Sequence, residues 1–133
     1  MTLEEQITEL VARALTEPDL KKKVSFALSG KTIGRIQKDS GLDLTGYACI
    51  VDCDHIRHVN KGHSNAVPLI CKIPQLINNY HTCKKNIIED RRTRQPLVNL
   101  IFTYRLGEKY IQLVQLRVFR DKEISLKTMF VKE

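Results

Sequence analysis

Apolar positions along the chain follow two rhythms. Leu3, Ile7, Leu10, Val11 and Ala14 recur at helical intervals, and Thr2 with Glu5 has the spacing of a capping box that closes a helix N-terminus. The Thr16-Glu17-Pro18 start signal, followed by Leu20, Val24 and Ala27 or Leu28, predicts a second helix stopped by Gly30. Residues 31–46, with Gly34, Gly41 and Gly46, show no clear period, and Ala48 to Val51 fits a short buried strand or an approach to the next helix. Asp52 or Asp54 suits the N-cap of a short helix that turns Ile56 and Val59 inward and ends near Gly62 in a left-handed conformation. A further helix begins near Pro74 and carries Leu76, Ile77 and Tyr80. From Leu97 the period becomes two: Val98, Leu100, Phe102 and Tyr104 alternate with Asn99, Ile101, Thr103 and Arg105. Gly107 marks a turn, Tyr110 to Phe119 a second strand, Arg120 to Glu123 a charged turn, and Ile124 to Val131 a third strand. The expected fold class is α+β, with N-terminal helices packed against a C-terminal antiparallel sheet.

A chain of 133 residues, 42% hydrophobic and 28% charged, fits one domain and excludes disorder or a second domain of ordinary size. Within it, residues 1–45 are expected to be helical, and residues 46–133 to hold a site-bearing helix and the sheet. No segment approaches the roughly 20 apolar residues of a membrane span, and the start MTLEEQITEL lacks the basic and apolar regions of a signal peptide. A soluble protein is expected. Charge changes the picture further. Of 22 Lys/Arg and 15 Asp/Glu, residues 1–66 hold 9 of each, so the whole excess of +7 lies in the second half. Such an asymmetry suits a polyanion, nucleic acid ahead of an anionic membrane surface.

Three of the four histidines, His55, His58 and His63, lie within nine residues. On a continuous helix His55 and His58 share a face, while His63 points about 140° from His58. A helix that stops at Gly62 would let the chain return His63 toward His58. Two imidazoles suit RNA cleavage by its own 2′-hydroxyl, which needs a base for that proton and an acid for the departing 5′-oxygen near neutral pH. Charge on the phosphorus must also be stabilised, and Lys127, Thr128, Arg105 and Arg117 on the predicted strands are the candidates. Lys127 and Thr128 point to opposite faces of a regular strand, so only one can line a site unless a bulge intervenes. Lys84, Lys85 and the Arg91, Arg92, Arg94 group fit either a solvated loop or phosphate contacts. Tyr104 and Tyr110 read first as sheet residues rather than stacking platforms. Cys49, Cys53, Cys71 and Cys83 form no CxxC pair; Cys49 and Cys53 precede the histidines closely enough for a zinc cluster to be considered.

The segments DHIRHVNKGH, IPQLINNY, LIFTYRLGEKYIQLVQLRVF and LKTMFVK resemble the barnase/EndoU/colicin/RelE superfamily of small RNases, over residues 46 to 132. The likeness is closest to phage and polymorphic-toxin branches, including EndoU-like C-terminal domains of contact-dependent growth inhibition toxins. The resemblance implies a metal-independent endoribonuclease without cofactor. His58 and His63 fall on its catalytic histidine positions, and Thr128, with Lys127 alongside, on its terminal-strand position. His55 is extra to that pattern and is carried with Arg57, Lys85, Tyr104, Arg105 and Arg117 as substrate-binding; the superfamily's further Lys or Tyr would be Lys127, Tyr104 or Lys85. The implied substrate is RNA, commonly tRNA, and the implied partner is a cognate immunity protein. The implied site of action is the bacterial cytoplasm, reached as the C-terminal part of a larger secreted toxin. Two other readings stand beside it: a non-catalytic RNA- or protein-binding module of mobile-element origin, and a Cys/His zinc domain.

Overall fold

Thr2 opens the first helix, α1 (Leu3–Thr16), as its spacing predicts: its hydroxyl accepts from the Glu5 amide and the Glu5 carboxylate accepts from the Thr2 amide. Ile7, Leu10 and Ala14 make its buried stripe. The computed structural model describes residues 1–105, 107, 111–119 and 121–132; Tyr110 and Arg120, expected in a strand and a turn, lie outside the described residues.

The expected second helix is not formed. Lys23–Ala27 is a strand, β1, in which Val24 and Phe26 are half-buried between exposed neighbours. A helix does follow, α2 (Gly30–Ser40), so Gly30 starts a helix rather than stopping one. Ser29 caps it by accepting from the Thr32 amide, and Gly41, at φ 80°, supplies the left-handed exit. Residues 1–45 are therefore not purely helical.

β2 (Ala48–Asp52) runs directly into α3 (Cys53–Gly62), capped by Asp52. A 3-10 segment, Ser64–Lys72, and a short α4 (Ile73–Asn78) follow. The strands β3 (Thr82–Glu89), β4 (Pro96–Arg105), β5 (Ile111–Phe119) and β6 (Glu123–Lys132) complete the chain. The sheet has six strands in the order β1-β2-β6-β5-β4-β3, antiparallel throughout except for the parallel β2–β6 pair. The fold is α+β, with helices on a mostly antiparallel sheet. Among the described residues, no helix is long and apolar enough to cross a membrane.

Register separates the two faces of the sheet. Leu100, Leu116 and Leu126 align across β4, β5 and β6, as do Phe102, Val114 and Met129, and all are buried in one core with Ile7, Ile36, Ile56, Val59, Ile70 and Ile77 of the helices. Leu126 and Met129 are three residues apart, an odd interval for one face of a strand. A bulge resolves this: Leu116 pairs with Leu126 and Gln115 with Thr128, leaving Lys127 as the extra residue. The opposite face carries the rows Asn99-Arg117-Ser125 and Ile101-Gln115-Thr128, followed by Thr103 and Phe130. These residues lie outside the helix-packed core.

Candidate functional site

β2 ends at Asp52, whereas its parallel neighbour β6 runs on well past the pairing of Ile50 with Ser125. α3 packs against β6, so its first turn meets the β6 bulge. His55 lies there. Asp52 accepts from the His55 backbone amide at 2.8 Å, and both its carboxylate oxygens are 2.9 Å from His55 Nδ1. A ring that donates from Nδ1 keeps its Nε2 lone pair available, so the cap residue also fixes the tautomer. Burial pushes the half-buried Asp52 carboxyl up, but the two His55 hydrogen bonds and the charges of His55 and Lys23 outweigh it and hold the carboxyl below its ordinary range.

His55 shares a small pocket with Arg117, Phe119, Ser125, Leu126 and Lys127. Arg117 donates from Nε to Asn99 Oδ1 at 3.1 Å, and neither Arg117 nor Lys127 forms an ion pair among the described residues. One imidazole backed by a carboxylate, two uncompensated cations and a serine hydroxyl thus converge beside a sheet face bearing Thr128. Such a set can move a proton and hold an anion.

The other candidates are dispersed. His58 is exposed on α3, and the bend expected at Gly62 is displaced by one residue: Gly62 belongs to the helix, without positive φ, and His63 leaves it at φ −145°. The His63 ring packs on Phe130 of β6, centroids 5.3 Å apart. Arg105, at the end of β4, is exposed, and its backbone amide donates to His81 Nδ1. Arg57, expected to bind substrate, instead clamps the fold: Nε donates to the Ala14 carbonyl, Nη2 to those of Glu17 and Leu20, and Nη1 to Asp54. These bonds hold the exposed end of α1 and the segment after it against α3.

Lys85 lies on β3 opposite Leu100, on the helix-bearing side of the sheet, and not in the loop that was one expectation for it. Tyr104 is on that side too, in a separate cavity with Leu69, Lys72, Gln75, Leu76 and Gln112. Neither meets His55. The cysteine and histidine side chains considered for zinc do not converge, and among the described residues no group of three metal-capable side chains does. Cys49 is fully buried and burial pushes its thiol far up; Cys83 is pushed up to about 12 for the same reason.

Asp52, Asn99 and Ser125 were missed as functional residues. Asp52 had a local signal, since a cap residue three positions before a histidine can bond both its amide and its ring. Asn99 and Ser125 had none, because only strand register brings them beside Arg117. No family model matches the chain, and neither a curated protein nor a solved structure matches it.

Proposed function

We propose that this chain is a metal-independent endoribonuclease domain that cleaves RNA by 2′-hydroxyl transesterification, leaving 2′,3′-cyclic phosphate and 5′-hydroxyl ends. The observation that carries this reading is the Asp52–His55 pair opening beside Arg117 and Lys127. His55 Nε2 would take or return one proton, and the two cations would stabilise charge on the phosphorus. His58 and His63 are the candidates for the second proton carrier. His58 is one helical turn from His55, where side chains are neighbours. His63 is eight residues on, about 12 Å along the axis, so His58 is better placed for the same phosphate. Thr128 faces the substrate from β6.

The proposed substrate is tRNA, and the proposed setting is a toxin held by an immunity protein and acting in the bacterial cytoplasm, delivered as the C-terminal part of a larger secreted toxin. These features come from the resemblance. Brief induction followed by end-mapping of total RNA tests activity, substrate and bond chemistry together. Cyclic phosphate ends that persist in EDTA and vanish in His55→Ala are expected; their presence in His55→Ala, or dependence on added metal, overturns the reading. A non-catalytic RNA-binding module is favoured by a different observation: the sheet face opposite the helix-packed core extends far from His55, through Ile101 and Thr103 to Lys84 and Thr82 of β3. Retention of RNA without new ends, and tolerated expression, would select it.

A further inference from the structure

We infer that Arg117 is the residue that grips a phosphate on the sheet face opposite the helix-packed core and that Asn99, which touches no substrate, is its positioning residue. The inference rests on the reading of the His55 pocket and names the group that the pocket holds. Asn99 is fully buried in β4, yet its Nδ2 has no hydrogen-bond partner among the described residues. A buried amide donor left unpaired costs about 1–3 kcal/mol, and an apolar side chain of similar volume would avoid that cost. What the asparagine provides is its other atom: Oδ1 accepts from Arg117 Nε. Held by Nε, the guanidinium cannot swing, and its two Nη groups, which have no protein acceptor among the described residues, remain for a planar two-oxygen contact of the kind phosphate offers. Ser125 lies opposite Arg117 in the register and adds a hydroxyl at the same place.

Lys127, Asp52 and Glu123 set the charge around Arg117. Lys127 adds a second positive charge in the pocket; the Asp52 carboxylate is engaged by His55, and that of Glu123, two residues before Ser125 on the same face of β6, is paired with Lys23 at 3.6 Å. The pocket is therefore cationic when empty, and an anion relieves the repulsion between Arg117 and Lys127.

The test is titration of the intact chain with inorganic phosphate, read at the Arg117 Nε–Hε NMR signal and, in every variant, at the backbone amides of Ser125 and Lys127, together with kinetics on an RNA oligonucleotide. Saturable shifts at Arg117, Ser125 and Lys127 are expected; those at Ser125 and Lys127 are lost in Arg117→Gln and weakened about tenfold or more in Asn99→Leu and Asn99→Val. Asn99→Leu should melt at or above the wild-type temperature, since it removes the orphaned donor, while KM rises more than kcat falls. Should Asn99→Leu fail to fold, Asn99→Val removes the same Nε acceptor with a smaller side chain that suits a strand. Phosphate shifts centred on Lys84 or the Lys21–Lys23 run, or unchanged KM in both Arg117→Gln and Asn99→Val, overturn the inference and leave the nuclease reading standing. Phosphate binding at Arg117 by a wild-type chain that cleaves no RNA does the reverse.

Discussion

Replacing Asp52 by Asn separates two tasks that one carboxylate performs. As the N-cap, Asp52 accepts from the His55 amide; as a partner to the ring, it holds the Nδ1 proton. Asn caps a helix about as well as Asp, so that loss is a few tenths of a kcal/mol. With the weakened ring bond the total stays below about 1 kcal/mol, or roughly 3 °C in melting temperature for a domain of this size. Ala removes both bonds, about 1 kcal/mol for the cap and about 1 kcal/mol for the ring, and should lower the melting temperature by about 6 °C. The effect on catalysis runs the other way. An Asn amide can donate to Nδ1, moving the proton to Nε2 and removing the lone pair that His55 would use. General acid–base catalysis contributes about 10²–10⁴-fold, so Asp52→Asn should cut cleavage by about a hundredfold or more while melting near wild type. Initial rates on a labelled oligonucleotide, circular-dichroism melts and imidazole nitrogen shifts measure the three quantities. Full-rate cleavage by Asp52→Asn, with the His55 proton moved to Nε2, would refute the assignment of His55 as a proton carrier.

Acid should weaken the fold in part through the same carboxylate. Because the folded Asp52 lies below its ordinary value of 3.8, its contribution is complete above that value and is lost as pH falls through the folded pKa. Melts between pH 5 and 2 should show the gap between wild type and Asp52→Ala closing at the acid end, and a constant gap would contradict the shift. Arg57→Met keeps the stem but removes three bonds to carbonyls, a loss of about 3 kcal/mol and roughly 10 °C, with cleavage retained at temperatures where the variant is folded. Larger losses of activity than of folded fraction would return Arg57 to the site. Gly62→Ala should raise stability by about 0.5–1 kcal/mol, because Gly62 is helical and a methyl group there meets open space; destabilisation would mean a left-handed glycine.

The chain's own periodicity made α1, α3, α4 and the last three strands legible, since each buries one stripe or alternate positions against the core. β1 reads as a helix because Leu20, Val24 and Ala27 or Leu28 fall at helical intervals, whereas a five-residue strand with only Val24 and Phe26 half-buried is too short for its period of two to stand out. β3 was unreadable for another reason: as the outermost strand it leaves Lys84, Asn86, Ile87 and Ile88 exposed, so no alternation survives.

Local order in the sequence was enough to determine the α+β class, the capped helix carrying the histidines and the basic second half, because caps, periods and charge depend on neighbours a few residues apart. Tertiary structure decided the site. The parallel β2–β6 pairing, the bulge at Lys127 and the bond from Arg117 to Asn99 across 18 positions all join distant segments. Such contacts depend on strand order and register, which are settled by how the whole core packs and leave no signature in any short stretch of chain.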